Sequence, residues 1–295
     1  MTYSLQKNIN TSKLKLSYKT RYKCSTNKNT SSLPSHYIKP SIPMKNYAII
    51  NQKGGVGKTS NTVHLGYGLA RAGHRVLLID LDPQGHTTTI FGDQGAEKTI
   101  KDLFENAGQG IGDLIQPAVV HDDTVENLSI IPANIKLAVA AENLAARIHR
   151  EKVLAKALKS VEKQFDYCLI DCPPTLGVLA VNGIYAADHF LIPITYARYA
   201  LDGVADLFGI IQTVRESNEF GYTIIRNGYD SRTTTTNEFI ENELEPLKDH
   251  VARTRIRKTE AINQAAINGE PVWLFDAKGN GTKDYEALTE EVLAL

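Results

Sequence analysis

The sequence predicts a doubly wound α/β domain, in which a mostly parallel sheet is flanked by helices. Short apolar runs alternate with longer helical patterns from Tyr47 onward, and this alternation is typical of a parallel sheet. Most of the apolar runs are continuous, as expected for strands that are buried on both faces. No linker rich in Pro, Gly or Ser interrupts residues 46–295. One domain is therefore the simplest expectation.

The predicted strands and helices follow one another along the chain. The strands are the runs YAII, VLLID, LSII, YCLID, HFLIPI and YTIIRN, at residues 47–50, 76–80, 128–131, 167–171, 189–194 and 222–227. Helical patterns cover the stretches 58–73, 136–164, 178–187, 201–217, 234–247, 259–268 and 283–294. A helical crossover between two strands lets the second strand run parallel to the first.

The composition is that of a globular protein, with 42% hydrophobic and 22% charged residues. No apolar run approaches the roughly 18 to 20 residues of a membrane span, so the sequence predicts a soluble protein. The three cysteines, Cys24, Cys168 and Cys172, are too few and too scattered for a disulfide framework. An odd number of cysteines with no such framework suits a reducing cytoplasm.

The net charge of zero conceals a basic N-terminus on an acidic remainder. Residues 1–45 contain nine Lys or Arg and no Asp or Glu, and the other 250 residues have a net charge of −9. Residues 1–44 are predicted to be a disordered basic extension of the domain at 45–295, because they have little apolar surface to bury. Three roles remain open: a dispensable extension before a start at Met44, a basic arm on nucleic acid, or a targeting peptide.

The stretch NQKGGVGKTS, at 51–60, follows a predicted strand and precedes a predicted helix. In this context glycines let backbone N–H groups converge on a phosphate at the helix N-terminus. Lys58 would reach the terminal phosphates and Thr59 would bind Mg²⁺, although Gln52 replaces the first glycine of the usual pattern. A plain glycine-rich turn is the alternative. The predicted nucleotide-binding residues are Gly54, Gly55, Val56, Gly57, Lys58, Thr59 and Ser60.

The run LLIDLDPQGHTT, at 77–88, places two carboxylates at the end of a strand. The carboxyl edge of a parallel sheet is where ligands bind, so both side chains are expected near the nucleotide. Asp82 could orient a water molecule for attack on the terminal phosphate. Asp80 could support Mg²⁺ or the loop itself. The alternative is that Asp82 merely caps a turn.

The run YCLIDCPPTLG, at 167–177, ends a third apolar strand with Asp171. A carboxylate there would hold the Mg²⁺ hydration shell, because Mg²⁺ gives up its waters reluctantly. The two prolines at 173 and 174 stiffen the exit from the strand.

Together the three motifs closely resemble the ParA/Soj family of DNA-partitioning ATPases, which belongs to the MinD/ParA superfamily of deviant Walker A proteins. K-G-G-V-G-K-T matches the deviant loop, D-L-D-P-Q-G the first switch, and I-D-C-P-P the Walker B and second switch region. Weaker similarities at 191–203, 227–233 and 253–262 extend the resemblance over about 45–295. It implies a single P-loop NTPase domain with ATP and Mg²⁺ as cofactors.

The resemblance also implies a catalytic arrangement. In this family two subunits sandwich two ATP molecules, and the signature lysine, here Lys53, reaches the nucleotide of the partner. Lys53, Lys58 and Asp82 are therefore the expected catalytic residues, and hydrolysis is expected to be slow without a partner protein. Asn227 matches a position that often contacts the base, although a simple turn residue fits as well.

The family binds DNA non-specifically as an ATP-bound dimer, and this implies a basic surface in the C-terminal half. Four basic residues within 253–258 on an acidic body would suit phosphate binding. The usual I-P-R-N of the family is replaced by ARTR at 252–255, and a solvated strand edge is the alternative. The expected DNA-binding residues are Arg232, Arg253, Arg255, Arg257 and Lys258.

The resemblance implies a role in plasmid or chromosome segregation on the nucleoid, with a ParB-like centromere-binding protein as partner and no membrane. The main alternative is a MinD-like positioning ATPase, which would end in a basic amphipathic helix. The chain ends in DYEALTEEVLAL instead. A nitrogenase-iron-protein-like reductase would need better placed cysteines. A non-hydrolysing scaffold is disfavoured by the presence of Asp82, Asp171 and Thr59.

Overall fold

Eight strands form one sheet in the computed structural model, which describes residues 43–106, 108–197 and 200–295. The strands are β1 (Lys45–Ile49), β2 (Val76–Asp80), β3 (Gln116–Val120), β4 (Asp123–Ile131), β5 (Tyr167–Asp171), β6 (His189–Thr195), β7 (Gly221–Tyr229) and β8 (Val251–Arg257). Their order across the sheet is β3-β4-β2-β5-β1-β6-β7-β8. All neighbours are parallel except β3 and β4. This confirms the predicted fold class.

Helices connect the strands and cover the sheet. They are α1 (Lys58–Arg71), α2 (His86–Phe91), α3 (Ile100–Glu105), α4 (Leu137–Ala145), α5 (Val153–Leu158), α6 (Val178–Ala186), α7 (Asp202–Arg215), α8 (Thr234–Leu244), α9 (Glu260–Asn268), α10 (Val272–Phe275) and α11 (Asn280–Leu293). Among the described residues, none of these helices has the length and apolar character needed to cross a membrane.

The central strands are buried on both faces, which explains their continuous apolar runs. Leu77 and Ile79 of β2 pack into one core together with helices α3 to α8. Val76 and Leu78 of the same strand pack into a second core with α1, α2 and α9 to α11. Because successive side chains of a strand point to opposite faces, every residue of β2 is apolar up to its final aspartate.

The sequence patterns did not predict β3 and β8. The antiparallel pair of β3 and β4 is joined by His121 and Asp122, both with positive φ (50° and 70°), as the favoured two-residue hairpin turn requires. This pair lacks the Asn-Gly or Asp-Gly signal of such a turn. The edge strand β8 has the sequence VARTRIR, in which polar residues obscure the apolar pattern.

The predicted helix over 136–164 is broken in the structure. Helix α4 ends at Ala145, and a 3₁₀ turn over Arg150–Lys152 separates it from α5. His149, which precedes this turn, has φ of 58°, a left-handed conformation that interrupts an α-helix. A second 3₁₀ turn covers Ile111–Leu114.

The strand order places the three sequence motifs together. Strand β1 lies between β5 and β6, and β2 lies beyond β5. The connection from β1 to β2 therefore runs to one side of β1, and the connection from β5 to β6 crosses to the other side. Ligands of doubly wound sheets bind at this switch point, outside the carboxyl ends of the strands. The loop after β1, Asp80 at the end of β2 and Asp171 at the end of β5 all lie at that edge.

Candidate active site

The loop between β1 and α1 has the conformation of a phosphate cradle. Gly55 and Gly57 have φ of 71° and 95°, which residues with side chains rarely adopt. A Cβ atom on Gly57 would lie 2.7 Å from Nδ2 of Asn227. That amide donates a hydrogen bond of 2.8 Å to the carbonyl of Val56. Asn227, at the end of β7, therefore holds the loop in place, and this contact leaves no room for a side chain at position 57.

Gly57→Ala is expected to lower the free energy of unfolding by about 2 kcal/mol, because alanine is strained at this φ. The steric contact with Asn227 would also displace the loop. Gly54→Ala is the matched control, since Gly54 has no positive φ and its Cβ would meet nothing within 4 Å. Urea unfolding of both variants measures the difference. Equal stability of the two variants would contradict the conclusion that position 57 leaves no room for a side chain.

The two lysines of the loop take different directions. The Lys58 ammonium is buried and donates a hydrogen bond of 3.0 Å to the carbonyl of Lys53. Burial lowers the pKa of Lys58, and the charge of Asp171 opposes that shift. The N–H of Lys53 donates to Oδ1 of Asn51 at 2.9 Å. The Lys53 side chain lies against the start of α7, where a Cβ on Gly203 would be 3.7 Å from its Cε.

Asp80 is fully buried and is committed to the loop that follows β2. Its Oδ2 accepts hydrogen bonds from the N–H and the hydroxyl of Thr88, at 2.9 and 2.7 Å. Its Oδ1 accepts the N–H of Asp82 at 3.1 Å. Burial, with a smaller effect of the neighbouring Asp171, raises the pKa of Asp80. Of the two predicted roles, these contacts favour support of the loop over contact with Mg²⁺.

Asp171 faces Asp80 across neighbouring strands and has one uncommitted oxygen. Its Oδ2 accepts the hydroxyl of Thr87 at 2.6 Å. Its Oδ1 is buried and has no hydrogen-bond partner among the described residues. Such an oxygen is costly to leave unpaired and suits a hydrated divalent cation. Thr59, half-buried in the first turn of α1, supplies the second oxygen of the expected Mg²⁺ site.

Asp82 shapes the turn after β2. Its Oδ1 accepts the N–H of Gln84 at 3.0 Å, and its carbonyl accepts the N–H of Gly85 at 2.9 Å. The side chain is half-buried. It therefore makes the turn contact that the alternative interpretation predicts. That contact occupies one carboxylate oxygen and is compatible with a second role in catalysis.

A cavity of about 280 Å³ lies beside the phosphate loop. Its lining includes Gly57, Ser60, Asn227, Arg257, Lys258 and Tyr285. Three larger cavities lie elsewhere. Those near Met44 and beneath the β3–β4 hairpin contain no residue of the three motifs, and the third touches only the end of the third motif, at Leu176 and Gly177. Because it adjoins the phosphate loop itself, the cavity of about 280 Å³ is the expected place for the base and sugar of a nucleotide.

The four candidate DNA-binding arginines each have a carboxylate partner. The pairs, with nitrogen–oxygen distances, are Arg232 with Asp230 (2.7 Å), Arg253 with Glu291 (3.8 Å), Arg255 with Glu241 (3.0 Å) and Arg257 with Asp284 (2.5 Å). The carboxylate partners of the β8 arginines come from α8 and α11, which are far away in the chain. The sequence alone therefore suggested an unneutralised basic patch. Phosphates would therefore have to compete with carboxylates.

The candidates differ in exposure. The side chains of Arg232 and Arg253 are 85% and 89% exposed. The side chain of Arg257 is only 40% exposed, and its guanidinium bonds Asp284 of α11. Arg257 and the exposed Lys258 also line the cavity beside the phosphate loop. Arg232 and Arg253 are thus the positions where DNA contact can be tested without disturbing the nucleotide site.

Sequence reasoning missed several residues that shape the site. Thr87 and Thr88 come just after the first switch motif, and their hydroxyl groups bond the buried Asp171 and Asp80. Two hydroxyl side chains this close to the motif were a usable signal in the sequence. Asn51 bonds the carbonyl of Pro193 at 2.8 Å and so connects the loop to β6. Tyr285 comes from the last helix, and no local pattern places it in the site.

Comparison with known proteins identifies the family. Residues 44–222 match the model of a family described as an AAA domain. The sporulation initiation inhibitor protein Soj of Bacillus subtilis is 38% identical over 252 residues, covering 84% of this chain and 97% of Soj. The crystal structure of cobyrinic acid a,c-diamide synthase from Mycobacterium smegmatis, with an ATP analogue and magnesium, has a TM-score of 0.70 and 29% identity, covering 85% of this chain and 94% of that one. A plasmid partition protein from Borrelia burgdorferi bound to AMPPNP has a TM-score of 0.70 and 25% identity, covering 85% and 99%. The chain belongs to the ParA/MinD family of P-loop ATPases and, within it, is similar to the Soj and ParA partitioning proteins.

Proposed function

We propose that this protein is an ATP-dependent DNA-partitioning ATPase of the cytoplasm and the nucleoid. In this proposal an ATP-bound sandwich dimer binds double-stranded DNA non-specifically during plasmid or chromosome segregation. A ParB-like centromere-binding protein releases it by stimulating an otherwise slow hydrolysis. The similarity to Soj and to a Borrelia plasmid partition protein supports the proposal. The observation that carries it is the divergence of the two loop lysines, which leaves Lys58 in the cradle and Lys53 beside α7.

The loop residues would act on the phosphates of ATP in one subunit. The N–H groups of residues 54–60 surround the phosphates at the start of α1, and the Lys58 ammonium transfers its hydrogen bond from the Lys53 carbonyl to a phosphate oxygen. Thr59 and the free oxygen of Asp171 would hold Mg²⁺. The bound metal ion would neutralise charge on the phosphates. Asp82 orients the attacking water, and Asp80 keeps the Asp82 backbone in place.

Lys53 would act on the nucleotide of the partner subunit. Its backbone is fixed on both sides, by Asn51 Oδ1 and by the Lys58 ammonium. The side chain lies against the start of α7. A second cation that reaches a phosphate from the partner would link ATP binding to dimerisation and stabilise the charge that develops during hydrolysis.

Residues 45–295 constitute the ATPase domain in this proposal, and residues 1–44 a basic extension. Of that extension only Pro43 and Met44 belong to the described residues, and Met44 is buried in a core of the domain. Helix α11 packs on α1, and two of its acidic residues, Asp284 and Glu291, bond the edge strand β8.

DNA retention in ATP is expected to fall steeply with salt, because phosphate contacts release counterions. Arg232→Ala and Arg253→Ala should each reduce the slope of log affinity against log salt by about one. Lys98→Ala is the control, since Lys98 is an exposed cation whose carbonyl accepts a hydrogen bond from Gln116 of β3, the strand at the other end of the sheet from β8. Fluorescence anisotropy with labelled duplex DNA measures the slopes. Slopes unchanged by both arginine substitutions would remove these two residues from the proposed interface.

A further inference from the structure

We propose that Tyr285 is a positioning residue of the nucleotide site, which directs the hydroxyl of Ser60 toward the phosphates. The inference rests on the proposed binding of ATP at the loop. It assigns to the last helix of the chain a part in nucleotide binding that none of the three sequence motifs contains.

The two hydroxyl groups meet at the wall of the cavity. Ser60 lies in the first turn of α1, two residues after Lys58, and Tyr285 lies on α11. The Tyr285 hydroxyl is 3.1 Å from Oγ of Ser60. Both residues line the cavity beside the phosphate loop, and Tyr285 is only 1% exposed. A side chain 225 residues away in sequence thus contacts the start of the phosphate-binding helix.

Either hydroxyl of the pair can donate, and the chemistry of the two groups favours the phenol as the donor. A phenol is a more acidic donor than an aliphatic alcohol, and burial raises the pKa of Tyr285, so the phenol keeps its proton. Among the described residues, Ser60 Oγ is the acceptor within reach of that proton. The phenol therefore donates and Ser60 accepts. The proton of the Ser60 hydroxyl then remains available for an acceptor in the cavity, and phosphate oxygens are strong acceptors.

His64 contacts both members of this pair, the backbone of Ser60 and the ring of Tyr285. Its Nδ1 lies 2.6 Å from the carbonyl of Ser60 and must donate, because a carbonyl oxygen only accepts. Burial lowers the pKa of His64 to about 4, so the ring is neutral. The ring stacks on Tyr285, with a centroid distance of 4.2 Å and an angle of 11°. His64 thereby fixes both the Ser60 backbone and the plane of the phenol.

Close packing of α1 and α11 keeps this arrangement rigid. A Cβ atom on Gly68, one turn after His64, would clash with Oγ1 of Thr289, one turn after Tyr285. The two helices therefore lie so close together that only glycine fits at position 68. Rotation of the phenol is blocked by the His64 stack on one side and by this packing along the helix.

Tyr285→Phe is the first variant of the test, because it removes the hydroxyl and keeps the ring stack. Calorimetric titration of the full chain with ADP and Mg²⁺ measures nucleotide binding to one subunit without ATP-driven dimerisation. We expect about fivefold weaker affinity, as for the loss of one net hydrogen bond. Ser60→Ala should weaken binding similarly. The double variant should be no weaker than Ser60→Ala alone, because Tyr285 acts through Ser60.

Tyr67→Phe is the matched control, since Tyr67 belongs to the same aromatic cluster around Trp273 but does not line the cavity beside the loop. Its ADP affinity should equal that of the unaltered protein. An unchanged affinity of Tyr285→Phe, or additive effects in the double variant, would overturn the proposal even if both tyrosine variants lose stability. Absence of ADP and ATP binding in the unaltered protein would instead refute the proposed function.

Discussion

Asp82→Ala is expected to abolish ATP hydrolysis while leaving the ATP-driven dimer intact. In the structure Asp82 shapes its own turn through Gln84, while the Lys58 ammonium donates its hydrogen bond to the Lys53 carbonyl. Its loss should therefore leave nucleotide binding intact. Hydrolysis should be lost, because the attacking water is no longer positioned. Groups that position or deprotonate a nucleophile typically contribute factors of about 10² to 10⁴. Phosphate release gives the rate, and light scattering after gel filtration gives the mass in ATP.

Asp93→Ala is the matched control for this experiment. Asp93 makes the same type of contact, since its Oδ1 accepts the N–H of Gly95 at 2.7 Å. It is exposed and belongs to none of the three motifs. The control should hydrolyse ATP at the normal rate. Hydrolysis by Asp82→Ala within a few-fold of normal, or a monomer in ATP, would contradict the role assigned to Asp82.

Lys53→Ala should abolish ATP-driven dimerisation and hydrolysis while a single subunit still binds ATP. The expected loss of hydrolysis is about 10³-fold or more, the range known for cations supplied to a phosphoryl group from outside its own loop. The reason is geometric, since the Lys58 ammonium is buried against the Lys53 carbonyl, whereas the Lys53 side chain lies against the start of α7. Nucleotide affinity from titration and mass in ATP separate the two effects.

Lys58→Ala provides the contrast within the same loop. It removes the buried ammonium that should bind the phosphates of its own subunit, so it should lose ATP binding itself. If Lys53→Ala also lost ATP binding, or if it dimerised and hydrolysed ATP normally, the two lysines would not have separate roles.

Local patterns were sufficient for much of the fold. The runs VLLID and YCLID form β2 and β5 with the expected bounds, because strands buried on both faces need apolar residues throughout. The same runs end in Asp80 and Asp171, which the sheet register then places opposite each other. The location of these carboxylates could thus be predicted from their position at the end of a strand. The location of the Gly-rich loop could be predicted from its place between a strand and a helix.

Other features depend on contacts between distant residues and left no local signal. Asp284 and Glu291 on α11 bond backbone N–H groups of β8, the edge strand, and so take the place of a neighbouring strand. Without those partners VARTRIR has the composition of a charged loop. Tyr285 reaches Ser60 only because α11 packs on α1. The distinction between Asp80 and Asp171 likewise required the threonines that bond them.

Mixing two inactive variants tests whether one loop serves two nucleotides. In a heterodimer of Asp82→Ala and Lys53→Ala, the site on the Lys53→Ala subunit keeps its own Asp82 and receives Lys53 from the partner. One of the two sites would then be complete. A mixed dimer keeps one of its two crossing lysines and should form less readily than the normal dimer, so equal amounts should restore up to about a quarter of the normal hydrolysis rate, the value for random pairing. If mixed dimers, identified by a tag on one variant, form but stay as inactive as either variant alone, Lys53 acts within its own subunit.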